Sequence, residues 1–327
     1  MLPCYNNSEK VIRAPNTYVL FLLGASIVTI ALSINVNDGL VLAADSASTL
    51  VTQTPQGEPQ VINVYNNANK IFNLRKGLPI GAMTWGAGNI GNASTSTLMK
   101  DLRRRLSGED TSHSKHWKIG KTYTIENVAN LVREYFFDEL YLPAFKDAEK
   151  KPQIGFIVAG YSTDEPLADE YQIEIKDGEC VGPRLMRPKG DPGITWSGQP
   201  EAISRLVLGF GTGLPTVLEQ NLGVPTDQIP EVVRILQEKL TVPFVVAAMP
   251  FQDAIDLAEF LVNLTINFSR FAPGAQTVGG PLEIAAISKH EGFKWIRRKH
   301  YYSRDLNPED DHGFTEHQQP AAQKHRR

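Results

Sequence analysis

Four residues in the first third of the chain have the types and order needed for acyl transfer. Thr29 carries a hydroxyl, a weak nucleophile at its free pKa that needs a base beside it. If Thr29 is the first residue, its own α-amino group supplies that base, since a reference pKa of about 7.7–8.0 lies close to a working pH. The β-branched side chain also stiffens χ1 and holds the hydroxyl in one orientation. Taken alone, Thr29 fits equally well as an ordinary β-branched strand residue. Asp45 follows the turn signal Asn37-Asp38-Gly39, and a hairpin there brings Thr29 and Asp45 near each other. Counting along the hairpin leaves an offset of about 10 Å between them, which a lysine could bridge. Lys70 is assigned to that role: its ammonium would lower the amine's pKa by like-charge repulsion and stabilise negative charge on the hydroxyl, while Asp45 keeps it charged and oriented. The plainer alternatives are an exposed strand end for Lys70 and a turn or cap residue for Asp45. Gly88 suits the oxyanion donor, because glycine lets a backbone N–H approach the substrate closely and a following helix N-terminus adds positive potential. Its alternative is a glycine required only by its turn.

The elements that must hold these residues can be read from periodicity. Ile30, Leu32, Ile34 and Val36 alternate with Thr29, Ala31, Ser33 and Asn35, which predicts a strand over 28–36 and leaves residues 1–27 as something separate. A return strand follows at 40–44. Residues 52–60 (TQTPQGEPQ) read as an exposed loop, and strands resume at 61–65, 70–74 and 79–85. Leu98, Met99, Leu102 and Leu106 recur at helical spacing behind Asn and Ser capping candidates, and a second helix is expected near Thr124. Strands at 154–159, 170–175 and 193–196 precede helices at 201–208, 230–240 and 251–268. A last hairpin is expected at 282–288 and 293–296. This order suits an α+β chain with two sheets between helical layers, a four-layer αββα sandwich, better than a doubly wound parallel sheet. Residues 297–327 are polar and charged and read as a disordered tail.

The run TIALSINVNDGLVLAADS from Thr29 resembles the opening of a proteasome β-type subunit, an N-terminal-nucleophile hydrolase whose mature chain starts at threonine. NKIFNL around Lys70 is similar to that family's lysine-bearing strand, and AGNIGNA from Ala87 to its glycine turn into the first helix. IVAGY from Ile157, TWSGQP around Ser197 and VGGPLEIAAI from Val278 follow in the family's order. The resemblance covers residues 29 to about 296. It implies a threonine-type peptidase or amidase acting on peptide or protein substrate, with Thr29, Asp45, Lys70, Gly88 and Ser197 as catalytic residues. Ser197 would bond the terminal amine and the hydroxyl as proton relay; the alternative for Ser197 is a cap on the helix starting near Pro200. By the same register Ser48, Gly86 and Ile90 would line a roomy, mainly apolar side-chain pocket. The resemblance further implies a homo-oligomeric ring, no cofactor, and an ATP-dependent unfoldase of unknown identity as possible partner. One departure stands out: the family's aspartate and second serine before the double glycine are replaced by Ala275 and Val278 in GAQTVGG. Residues 1–28 would be a propeptide or an over-extended gene model.

Composition narrows the alternatives. With 327 residues and 42% hydrophobic content the chain can bury a substantial core, and 33 basic against 36 acidic side chains attract neither nucleic acid nor an anionic membrane. Cys4 and Cys180 are far apart, forming neither a disulfide framework nor a metal-ligand spacing, which fits a reducing, cytoplasmic setting. No histidine pairing of metalloprotease type and no phosphate loop is present. Two rival readings remain: a catalytically silent, ring-forming subunit whose residues 1–28 stay attached, and a membrane-anchored binding protein using the apolar run 18–34. That run is short for a span of about 20 residues.

Overall fold

The computed structural model describes residues 29–53, 59–110, 117–149 and 151–299. The expectations for residues 1–28, and for the tail beyond Lys299, lie outside the described residues. The chain is a mixed α+β protein built on antiparallel sheets. Its strands are β1 (Ile30–Val36), β2 (Gly39–Ala44), β3 (Ser48–Gln53), β4 (Pro59–Tyr65), β5 (Ile71–Asn73), β6 (Ile80–Gly86), β7 (Asn89–Ile90) and β8 (Ala93–Ser94). Helices α1 (Thr95–Ser107) and α2 (Ile125–Arg133) follow, α2 passing into a π-helical segment (Glu134–Tyr141) and the short α3 (Leu142–Ala144). Then come β9 (Ile154–Gly160), β10 (Asp169–Lys176), β11 (Glu179–Leu185), β12 (Gly193–Gly198), α4 (Glu201–Val207), α5 (Leu214–Gln220), α6 (Ile229–Leu240), α7 (Phe251–Phe271), β13 (Glu283–Ser288) and β14 (Gly292–Arg297).

One five-stranded sheet has the order β12-β1-β2-β13-β14 and the other β11-β10-β9-β6-β5. Alternation along β1 decides how they pack. Ile30, Leu32 and Ile34 join Trp196, Ile203, Ala258 and Leu261 in a core between the first sheet and helices α4 and α7. The small Ala31 points the other way, with Leu40, Leu42, Met83, Trp85 and Ile157, into the core between the two sheets. The far side of the second sheet supplies Ala82, Phe156 and Val158 to a core shared with Leu98, Met99, Leu102 and Leu106 of α1 and Val128 and Val132 of α2. Thr29 lies two positions before Ala31, so it shares the face between the sheets.

Local chemistry explains most of these boundaries. Ser94 caps α1 by accepting the Thr97 N–H at 3.1 Å, and Gly108 ends the helix at φ 74°. Thr124 caps α2 through the Asn127 N–H. Three expectations fail. Residues 52–60 are not a loop throughout, because β3 and β4 pair from Ser48↔Tyr65 to Gln53↔Pro59 in a separate two-stranded sheet. β11 and α5 had not been expected, and Arg297, assigned to the tail, is the last residue of β14. No helix among the described residues is long and apolar enough to cross a membrane.

Candidate active site

Thr29 sits immediately before β1, fixed from behind by β12. Its carbonyl accepts the Gln199 N–H at 2.7 Å, and Gly198 packs so closely that a Cβ there would lie 1.9 Å from that carbonyl oxygen. Gly198 also has φ 100°, so only glycine fits. Asp45 follows β2 directly. The β1/β2 register runs from Val36↔Gly39 to Ala31↔Ala44, so Thr29 and Asp45 are nearly level. The expected 10 Å offset is thus corrected: the turn consumes only Asn37 and Asp38, and Thr29 Oγ1 donates directly to Asp45 Oδ1 at 2.7 Å. The Asp45 carboxylate is fully buried and oriented by three backbone donors, Ile30 N–H at 3.1 Å on Oδ1 and the Ala47 and Gly279 N–H groups at 3.0 Å on Oδ2.

Lys70 enters from the residue before β5. Its Nζ donates to Thr29 Oγ1 and, at 2.5 Å, to Asp45 Oδ1. The side chain is buried, which removes the alternative of an exposed strand end, and burial pushes its pKa below the ordinary lysine value despite the opposing pull of Asp45 and Glu283. The hydroxyl of Thr29 therefore lies between an acid and an ammonium.

Two further charged residues back this trio and carried no sequence signal. Glu283, first in β13, accepts the Lys70 backbone N–H at 3.1 Å on Oε2. Lys299, just past β14, donates from Nζ to Ser46 Oγ at 2.5 Å and to the Ala68 carbonyl, and stands 3.6 Å from Glu283 Oε2. Its pKa is lowered chiefly by burial and also by repulsion from Lys70, against the pull of Glu283.

Ser197 is on β12 opposite Ala31, buried, and its hydroxyl has no hydrogen-bond partner among the described residues. It does not cap α4, whose first turn follows Pro200 without a side-chain cap. Gly88 lines the same cleft as Thr29, its carbonyl accepting the Thr95 N–H at 2.9 Å at the entry to α1. Ser48 and Gly86 line that cleft too. Gly86 has φ 89° and a Cβ there would meet the Gln153 carbonyl at 2.3 Å, so its smallness serves the strand as well as the pocket. Ile90 is not in the cleft: it is buried in the core under α1, because the short β7/β8 turn directs its side chain inward. Ala275 is exposed and Val278 is buried against the α7 core, so neither brings a polar side chain to Thr29. The cleft has a volume of about 840 Å³, and its wall is polar as much as apolar, with Asn69, Asn89, Ser96, Lys100 and Gln153 beside Thr29 and Lys70. The expectation of a mainly apolar pocket is corrected accordingly. Among the described residues, no group of three or more His, Cys, Asp or Glu is placed to hold a metal ion.

Neither a protein-family model nor a curated protein matches the sequence. Solved structures similar to the chain include the helical assembly of the Anbu complex from Pseudomonas aeruginosa, at 15% identity over 85% of this chain and 90% of that one, with a TM-score of 0.46. Anbu from Hyphomicrobium sp. strain MC1 is 15% identical over 85% of this chain and 91% of that one, TM-score 0.44. Its Gly-1 mutant is 16% identical over 83% and 86%, TM-score 0.44. These neighbours are Anbu proteins, proteasome-like but distinct, so the expected membership among proteasome β-type subunits is corrected. Short motifs such as a DG turn or a glycine before a helix follow from backbone demands that many chains share, so they do not fix a family.

Proposed function

We propose that the chain hydrolyses amide bonds through an acyl-enzyme on Thr29, once the Val28–Thr29 bond has been cut and Thr29 carries a free amine. The observation that carries this reading is the Thr29 hydroxyl held between Lys70 and Asp45 on the wall of a cleft. The α-amine takes the hydroxyl proton as Oγ1 attacks the substrate carbonyl carbon, and the Gly88 N–H and the Lys70 ammonium meet the negative charge that develops. The proton passes to the departing amine, leaving an ester on Thr29 that water then cleaves. The unpartnered Ser197 hydroxyl, on the strand beside Thr29, suits a relay for that proton. The αββα order of layers and self-association belong to the same reading; the exposed Phe260, Phe268 and Phe271 on α7 support a buried face in an assembly.

A protein begun as Met followed by Thr29 tests the proposal by intact mass, N-terminal analysis and turnover of peptide amides. Loss of the methionine together with hydrolysis, abolished by Thr29→Ala, is the expected result. A natural protein that keeps Met1 to Val28 and still hydrolyses amides would refute the Thr29 mechanism. A second reading, a silent assembly subunit, is favoured by the apolar side chains of Ala275 and Val278, which give a terminal amine no acidic partner. An inert Thr29-initiated protein that assembles normally would support it, and light scattering reads the assembly.

A further inference from the structure

The walls of the cleft differ in charge from what an apolar or basic substrate side chain would need. Both ionisable residues in its lining are lysines, Lys70 and Lys100, and no aspartate or glutamate among the described residues lines it. Lys70 is committed to Asp45 and Thr29, whereas Lys100 is exposed on α1. A continuous polar wall joins the two. Asn69 adjoins Lys70 in sequence, and its amide donates to Ser96 Oγ at 3.2 Å. Ser96 and Lys100 stand four apart on α1, hence on one face, with Cβ atoms about 5–6 Å apart. The first turn of this 13-residue helix lies at the cleft and holds no acidic residue, so its positive pole is not neutralised from within.

We propose that this cleft receives a substrate side chain ending in a carboxylate, and that Lys100 is the residue that selects it. The inference rests on the reading of Thr29 as the nucleophile. Asn69, Ser96 and Asn89 can donate to a carboxylate or a carboxamide alike, since amides and hydroxyls serve either. Lys100 is the ammonium in the lining not committed to Asp45 and Thr29, and it distinguishes them most strongly, because an ammonium gains from a full negative charge and nothing comparable from a neutral amide. The cleft is open to water, so the preference must weaken with salt, the Debye length being about 8 Å at physiological ionic strength.

The experiment compares two fluorescein-labelled peptides that differ only in Glu or Gln at the residue whose carbonyl is attacked. Binding is measured by anisotropy on the Thr29→Ala protein, and turnover on the Thr29-initiated protein. The Glu peptide is expected to bind and to turn over about two- to fivefold better at low salt, and the Glu/Gln ratio to fall toward one in Lys100→Met and below one in Lys100→Glu. Equal or better handling of Gln, an unchanged ratio in Lys100→Met, or no binding of either peptide would overturn the inference. The two readings separate cleanly. Hydrolysis that favours Gln refutes the selection by Lys100 and leaves the nucleophile standing, whereas selective binding of Glu without hydrolysis supports the selection and removes the hydrolase.

Discussion

Lys70 owes its position to two carboxylates of different function, Asp45 on its ammonium and Glu283 on its backbone N–H. Lys70→Met should therefore lower turnover by about 10²–10³-fold, the range for removing one donor that stabilises developing negative charge. Asp45 keeps its three backbone donors, so the circular dichroism spectrum at 25 °C should persist, although the melting temperature falls because the buried carboxylate has lost its cation. The lowered pKa of Lys70 also gives a sign. Between its folded value and the ordinary 10.5 the unfolded chain holds the proton and the folded chain does not, so the stability cost of this buried lysine is full below that window and is relieved as pH rises through it. Turnover should fall over the same window as the ammonium is lost, and a pH profile of kcat measures it. Lys299→Met removes a neighbouring positive charge, which should move that alkaline limb to higher pH, with Lys299→Arg restoring it; an unmoved limb would confine Lys299 to holding Ser46. Thr29 and Asp45 could be placed together from the sequence because one hairpin joins them, and Lys70 because it stands just before a strand, β5, that follows soon after with only β3 and β4 between. Glu283 and Lys299 were not, since they reach the site from the other end of the chain and neither has a local pattern that marks it.

At the scale of elements, α1 matters most to the cleft, because its first turn forms part of the wall while Leu98, Met99, Leu102 and Leu106 anchor it to the second sheet. Ser94→Ala removes the cap on the Thr97 N–H and should cost about 1 kcal/mol. In a domain of this size that lowers the melting temperature by about 2–4 °C in a thermal scan. This helix was legible from its 3.6-residue period and its caps, and so were the β1/β2 hairpin and α2. The β3/β4 hairpin was not, because Pro55, Gly57 and Pro59 carry the composition of a loop while cross-strand pairing overrides it along the flanks. Ile90 was misplaced for a related reason: in a two-residue strand a single step of register turns a side chain from cleft to core.

For the whole molecule, the gap between the sheets holds a second buried polar group that the active site does not touch. Ser33 donates to Glu170, Arg187 donates to Thr195, and Arg187 lies 3.6 Å from Glu170 Oε2 with both side chains almost wholly enclosed. Arg187→Met should destabilise the fold by about 3–5 kcal/mol in a denaturant titration, because it leaves the Glu170 charge buried without its cation. Glu170→Gln in the same background should recover part of that loss. The strand order has a further consequence, in time. Lys299 meets Ser46 across 253 positions of chain, and β13 reaches β2 from nearly as far. At a synthesis rate of about 5–20 residues per second, the parts that enclose Thr29 become available over roughly 13–50 s, and the last to arrive is the lysine at the far end. Asp45 and Lys70, which hold the Thr29 hydroxyl, thus follow it off the ribosome within about 2–8 s, whereas Glu283 and Lys299, which brace that pair from behind, arrive only as synthesis ends.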